Sequence, residues 1–377
     1  MILNNILLMA LLAVCTIDLP SFIVVYGLQL YILPCIVLMC LIRGGVFPLK
    51  FFFVAFFLSV IIITITVIQE TYTPYPDLLW SYTARLIYWI MVFTLLIPFI
   101  QKTPLIVLIK IIRRWILIYS TFLFIQFIAF YLFHIIVDYS LIIGGQESRI
   151  LNEVGLRASG LTAEPSIYSG IMISLLILLY LMTGKNNIIT YIGLISILCT
   201  LSTLGIVLVI IYLAITNLYR IKISRIVFFI SLSIAIIFIL WDFILKRIEL
   251  FLQGGDVSNN IKIMVIDNLF NNESLFLLGY GLVGYSDKAP PYYQALYDLT
   301  LFGNLCVIFG LPIGLMLSIT VFLFVLNMRI CFEKKILIIL SFIKITIPNY
   351  IFFYFFLVLL YIITNKISVR YHNRREV

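Results

Sequence analysis

The sequence predicts an all-α integral membrane protein, a polytopic bundle of about 12 transmembrane helices with two larger external loops, forming a single membrane domain over residues 1–377. Three observations carry that prediction. Hydrophobic residues make up 64% of the chain and charged residues only 11%. Mean hydropathy is +1.20. Apolar stretches of about the 20 residues that a helix needs to cross the hydrocarbon recur from end to end, with no soluble domain between them. A soluble chain of 377 residues has no interior large enough to bury so much apolar surface.

The first span, 1–17, lacks a basic leader and a small-x-small cleavage site, so it reads as a retained helix and not a signal peptide. Further spans follow at 21–42, 49–68, 81–100, 115–137, 166–183, 188–201, 203–218, 226–242, 301–326, 336–347 and 349–364. Basic residues are retained on the cytoplasmic side, and their distribution separates two ambiguous pairs, 188–218 and 336–364, into two short spans each. With twelve spans and both termini inside, 17 of the 25 basic residues lie inside and 14 of the 16 acidic residues outside. The segment from Lys102 to Arg114 is expected to lie along the inner surface as a short amphipathic helix. The external loops then run over 138–165 and 246–300, and long connections in a compact bundle are where function concentrates.

The formal charge of +9 would suggest nucleic acid in a soluble protein; here its placement matters more, and no nucleic-acid partner is expected. Eight cations stay outside against the retention rule: Arg85, Arg149, Arg157, Lys246, Arg247, Lys262, Lys288 and Lys344. Either they pair with neighbouring acids such as Glu147, Glu153, Asp242 or Glu249, or they meet an external substrate carrying phosphates, which the planar Arg fork binds bidentately. For the set, a functional basic surface is the better reading.

The strongest local pattern is Arg157-Ala-Ser-Gly160-Leu-Thr-Ala-Glu164-Pro165-Ser166, directly before an apolar helix. Pro165 suits the first helical position, and Glu164 at the helix entrance suits the macrodipole. Glu164 is thus a helix cap or a carboxylate placed beside Arg157 to take a proton from a sugar hydroxyl. Gly160 permits a tight turn or a close ligand. The second loop carries Gly254-Gly255-Asp256, Lys262 and then Gly279, Gly281 and Gly284. Those last three spell GxGxxG without the βα context of a nucleotide site, so they read as a turn. Tyr280, Tyr285, Tyr292, Tyr293 and Tyr297 form an interfacial belt or a stacking surface for sugar rings.

The only histidines are His134 and His372, and neither a metal cluster nor a Ser-His-Asp or Cys-His arrangement follows. Cys15, Cys35, Cys40, Cys199, Cys306 and Cys331 form no CxxC pair, and all but Cys331 sit in apolar runs as small hydrophobes.

Arg157 to Ser166 resembles the R-x-x-G-(x)3-E-P-S/N stretch of the O-antigen polymerase and ligase superfamily. Arg149 and Gly160 match an Arg-(x)10-Gly spacing of polymerase outer loops, and Thr200 to Gly205 resembles that superfamily's T-x-S-x-x-G turn between two short spans. Ser258 to Lys262 followed by Gly279-Tyr280-Gly281 is similar to its S-(x)3-R … G-x-G segment, with Lys where Arg is common. Gly310 to Gly314 falls where the family has a Gly-rich helix, so the resemblance covers roughly 148–315. The ligases carry a His late in the large loop; here Tyr297-Asp298-Leu299-Thr300 stands in that neighbourhood, which favours the polymerases (the Wzy family).

The resemblance implies a glycosyltransferase of lipopolysaccharide O-antigen or related polysaccharide biosynthesis, in the inner membrane of a bacterium. It would join polyprenyl-diphosphate-linked oligosaccharide repeat units at the periplasmic face, with no nucleotide sugar, ATP, metal or other cofactor. A chain-length regulator is the expected protein partner. Arg149, Arg157 and Arg247 would bind diphosphate, assisted by Lys262 and Arg85, with Gly160, Gly279 and Gly281 shaping the loop backbone. Glu164 is the leading general base, with Asp256 and Asp298 behind it. The alternatives are an O-antigen ligase that transfers polymer to lipid A-core and, in a different class, a lipid-linked oligosaccharide flippase. Transporters place charge mid-membrane, whereas here it gathers at span ends and outer loops.

Overall fold

A computed structural model describes the chain outside residues 1, 153–154, 219–240, 242–244, 246–248, 250–256, 285–288, 346–349 and 374–377. The expected span 226–242 and the candidates Arg247, Asp256, Lys246 and Lys288 therefore lie wholly or mainly outside the described residues.

Among the described residues the fold is all-α apart from one small hairpin. In chain order, α1 (Ile2–Thr16) is followed by a π-helix (Ile23–Ile32) that runs directly into α2 (Leu33–Gly44), then α3 (Leu49–Glu70), α4 (Pro76–Thr94), α5 (Ile97–Lys102) and α6 (Leu105–Phe133). The first lobe holds the one-turn α7 (Tyr139–Ile142) and the hairpin β1 (Leu151–Asn152) and β2 (Gly155–Leu156). After it come α8 (Pro165–Thr183), α9 (Ile188–Cys199) and α10 (Thr203–Leu218). The second lobe holds α11 (Val257–Asn271), α12 (Glu273–Leu278) and a 3-10 helix (Pro291–Tyr297). The chain closes with α13 (Leu301–Phe309), α14 (Leu311–Leu326), α15 (Phe332–Ser341) and α16 (Ile351–Asn373).

Five helical stretches among the described residues are long and apolar enough to cross a membrane: Ile23–Gly44, Leu49–Glu70, Pro76–Lys102, Leu105–Phe133 and Pro165–Thr183. Five shorter apolar helices accompany them, Ile2–Thr16, Ile188–Cys199, Thr203–Asn217, Leu311–Leu326 and Ile351–Ile367. α3 bears Phe53, Phe56, Phe57 and Val67 outward and buries only Ala55, Ser59, Thr66 and Gln69, the pattern of a helix whose solvent is lipid. α8 is the opposite case. It is apolar on every face and enclosed by α6, α9, α10, α15 and α16, and Met172 and Leu175 to Leu179 are fully buried. Its two inner serines return their protons to the helix, Ser169 to Pro165 O at 2.9 Å and Ser174 to Gly170 O at 2.8 Å, so no buried hydroxyl of that pair is orphaned.

Several expected boundaries move: the span expected at 81–100 starts at Pro76 and breaks after Thr94 into α4 and α5, and the one expected at 336–347 runs over Phe332–Ser341. Lys102–Arg114 is not a separate surface helix: the break falls at Thr103-Pro104, and α6 continues for 29 residues. At 1.5 Å per residue that is roughly 43 Å, nearly half as long again as the hydrocarbon needs, so the helix is long enough to carry its basic first turns beyond an apolar layer without a bend. It ends before 137, at Phe133, with His134 left-handed (φ 57°) and Ile135 N–H returning to Ala129 O. The expected span 301–326 is cut at Gly310 (φ 80°) into α13 and α14, which fold against each other. The turn between α9 and α10 falls where the sequence predicts it, at Thr200-Leu201-Ser202, with Leu201 left-handed (φ 50°). All six cysteines are free, and Cys35 is exposed along with Cys331 although it sits in an apolar run, where a small buried hydrophobe is expected.

Candidate functional site

The first lobe is fastened to α6 from beneath. The Gln126 side chain, buried in α6, accepts from Ser159 N–H at 2.8 Å and Gly160 N–H at 2.9 Å and donates to Val137 O at 2.7 Å. Gly160 is left-handed (φ 57°) and passes against the Tyr168 ring, which explains the glycine without invoking a ligand. Asp138 gathers Ser140 N–H at 2.9 Å, and Ser148 N–H and Oγ at 2.7 and 2.8 Å, closing the lobe on itself.

The end of α1 is pinned to α6, since Trp115 Nε1 donates to Thr16 Oγ1 and Tyr119 Oη to Thr16 O, both at 3.0 Å. Just beyond, Asp18 pairs with Thr162 in a parallel bridge: Asp18 N–H donates to Leu161 O at 3.0 Å and Ala163 N–H to Asp18 O at 2.7 Å. Arg149 N–H adds a third strand-like contact to Ala163 O at 2.9 Å.

This clip sets the side chains. Glu164 occupies the N-cap position of α8, yet its carboxylate makes no capping hydrogen bond. It meets Arg149 at 2.7 Å instead, and Ser166 Oγ approaches its other oxygen at 3.5 Å. With its carboxamide oxygen turned inward, Gln294 of the 3-10 helix accepts from both terminal nitrogens of Arg149, joining the two lobes. Arg157 is half-buried, its N–H donating to Ile150 O at 2.7 Å.

From Gln294 the 3-10 helix leads to Asp298, which is paired with Lys262 of α11 at 2.7 Å and with Lys344 just beyond α15. Asn304 holds this turn, accepting from Leu299 N–H at 3.2 Å and donating to Tyr297 O at 3.4 Å. Tyr297 stacks on Tyr82 with ring centres 5.9 Å apart, and Arg85 lies over the Tyr82 ring at 5.4 Å. The buried Tyr297 hydroxyl has no hydrogen-bond partner among the described residues. A continuous polar band thus runs Asp18, Glu164, Arg149, Gln294, Asp298, Lys262 and Lys344, with Arg85 behind it.

The carboxylates differ electrostatically. Burial pushes the Asp18 carboxyl up, the negative charge of Glu164 adds to it, and the group reaches about 6. Its oxygens accept no hydrogen bond among the described residues. Burial also opposes ionisation of Asp298, but Lys344 and Lys262 outweigh it and hold that carboxyl below its ordinary value. One group is therefore poised to take a proton near neutrality, and the other is a fixed counter-ion.

Of the residues singled out in the sequence, Arg149, Glu164, Lys262, Asp298 and Lys344 fall on this band, Arg85 lies behind it, and Arg157 opens the loop that carries it. Gly279 and Gly281 serve packing. Tyr280 N–H and Gly281 N–H donate to Val307 O and Ile308 O at 2.9 and 3.0 Å, and Gln69 Nε2 donates to both Leu278 O and Ile308 O at 2.8 Å. Asp18, Gln126 and Gln294 were not legible as site residues. The placement of Asp18 in a short polar break between two apolar runs was the one available signal. Among the described residues, no three His, Cys, Asp or Glu side chains stand close enough together to hold a metal ion.

Compared with protein-family models, curated proteins and solved structures, the chain matches none. The fold itself defines a multi-helix membrane protein with a band of paired charged side chains across two lobes.

Proposed function

We propose that this protein is a polymerase of lipid-linked glycans, joining polyprenyl-diphosphate-linked oligosaccharide repeat units at the outer face of a bacterial inner membrane. In this reading the chain crosses the bilayer twelve times with both termini cytoplasmic, and the two lobes are periplasmic. The observation that carries it is the band in which Arg149, Lys262 and Lys344 alternate with Glu164 and Asp298 at the mouth of α8. Such a band suits an anionic substrate delivered along the membrane surface, because fixed cations stabilise developing diphosphate charge without reorganising.

Arg149 and Arg157 take the donor diphosphate, and Lys262 and Arg85 supply longer-range positive charge. Arg247, the third arginine of this reading, lies outside the described residues. A hydroxyl of the acceptor sugar attacks the anomeric carbon of the donor chain. The carbon–oxygen bond to diphosphate breaks, and polyprenyl diphosphate departs. The hydroxyl proton needs a base. Glu164, the leading candidate by sequence, is tied to Arg149 and is better suited to orienting it. Asp298 is held ionised between two lysines. Asp18, raised to about 6 and accepting no hydrogen bond among the described residues, is a stronger base than Asp298 and is the residue we assign to this step. Asp256 lies outside the described residues.

The test is polymer formation by the purified protein from lipid-linked repeats, together with the surface-polysaccharide banding of a deletion strain. A polymerase leaves single capped repeats when deleted, whereas a ligase leaves an uncapped core. Arg149→Ala and Arg157→Ala should abolish long polymer at normal protein levels. Full-length ladders from both variants contradict the reading.

A further inference from the structure

At the far end of the bundle from Asp18, a cavity of about 450 Å³ opens between the α5–α6 junction and α16. Tyr350 lies at the near end of α16, by Asp18. Lys366 lies about two turns before its far end, roughly 24 Å from Tyr350 at 1.5 Å per residue. The two sites therefore lie towards opposite ends of the bundle.

The polar side of the cavity holds two ammonium groups, Lys102 and Lys366, with no carboxylate among the lining residues. Lys366 is half-buried and donates to Ile100 O at 3.3 Å and to Thr103 O, which fastens α16 across the end of α5. An ammonium carries three protons, so one donor remains for the cavity. Lys102 is exposed and makes no hydrogen bond among the described residues. Its ammonium passes 3.6 Å from where a Cβ of Gly45 would lie, at the end of α2. Arg43 in the last turn of α2 and Lys50 in the first turn of α3 are both exposed nearby; Phe51 packs edge-on against Tyr361 with ring centres 5.5 Å apart. The other wall is apolar, formed by Leu105, Tyr361 and Ile362.

We propose that this cavity binds the phosphate headgroup of an anionic glycerophospholipid. The phosphate lies against Lys102 and Lys366, and the glycerol and first acyl carbons lie against Tyr361, Ile362 and Leu105. Two features select an amphipathic ligand over a free phosphate ion. The volume is several times what phosphate fills, and one wall is largely hydrocarbon, the side chains of Leu105 and Ile362 and the ring of Tyr361. The position at the helix ends is where headgroups sit, and basic pockets between transmembrane helices are a recognised mode of headgroup binding. The inference does not rest on the polymerase reading.

The test uses purified full-length protein in detergent, with phosphatidylglycerol and phosphatidylcholine as probes and bound lipid counted by native mass spectrometry. Wild type should retain phosphatidylglycerol in preference to phosphatidylcholine. Lys102→Gln should weaken phosphatidylglycerol about fivefold, the effect of one interfacial cation. Lys102→Arg should keep it. Lys110→Gln, which removes an exposed cation of the same end outside the cavity, should change nothing. Unaltered binding by Lys102→Gln, or an equal loss in Lys110→Gln, overturns the site in favour of diffuse surface charge. Displacement of phosphatidylglycerol by equimolar inorganic phosphate overturns the lipid assignment in favour of a small anion. Unchanged thermal unfolding of the Lys102 variants without added lipid separates lost binding from lost folding.

Discussion

Asp18 and Thr162 face each other in a parallel bridge, joined through Leu161 O at 3.0 Å and Ala163 N–H at 2.7 Å. Through it the first break in the apolar sequence is stitched to the loop that enters α8, and the Asp18 and Glu164 carboxyls share one electrostatic neighbourhood.

The raised Asp18 carboxyl makes stability depend on pH in a defined direction. Unfolded, the group ionises near 3.8; folded, it holds its proton to about 6. The unfolded state therefore sheds its proton first, and stability falls as pH rises across that window. Asp18→Asn should stabilise the protein by about 3 kcal/mol above pH 6 and by nothing below pH 4. Equilibrium unfolding at pH 4 and pH 7 measures this, and a difference that does not grow between them refutes the burial of the carboxyl. The same variant should lose polymer formation, a loss of function without a loss of fold.

Asp298 has the opposite sign. Lowered by Lys344 and Lys262, its carboxylate contributes stability that is present above the ordinary value of 3.8 and lost as pH falls through the lower folded value. Asp298→Asn leaves two ammonium groups facing each other, Lys344 nearly buried, and should cost about 2 kcal/mol at pH 7. Adding Lys344→Met should restore part of that loss, and a double variant no more stable than the single one excludes coupling through this pair.

Gln126 holds the lobe by three hydrogen bonds to main-chain atoms. Gln126→Leu keeps the size of the side chain and strands the Ser159 and Gly160 N–H groups, costing about 2–4 kcal/mol. The lobe, more than the bundle, should loosen. Limited proteolysis between 138 and 165 reads this directly, and a cleavage rate equal to wild type removes Gln126 as its anchor.

Gly279 and Gly310 cross with their backbones in contact, at φ 75° and 80°. A Cβ on Gly279 would meet Gly310 N and Ile308 O, and one on Gly310 would meet Leu277 O, all backbone atoms unable to rotate away. Gly279→Ala and Gly310→Ala should each cost about 3 kcal/mol or more, combining left-handed strain with the clash. The yield of monodisperse protein measures it. Gly144→Ala, also left-handed but in open space, should cost only about 1 kcal/mol.

Whether an apolar run exists, and so whether lipid must be its solvent, is a property of composition and spacing, and the sequence alone determined it for this protein. The helix entrance at Pro165 and the break at Leu201 were likewise legible, because proline geometry and short polar turns act on their immediate neighbours. Only the tertiary structure decided that Asp18 joins the loop before α8, that Gln294 bridges to Arg149, and that Lys344 shares Asp298 with Lys262. It also decided that the apolar run 301–326 folds back at Gly310. Partners far apart in the chain leave no period or motif in the sequence. A left-handed glycine inside an apolar run reads as helix until the opposing backbone that requires it is seen.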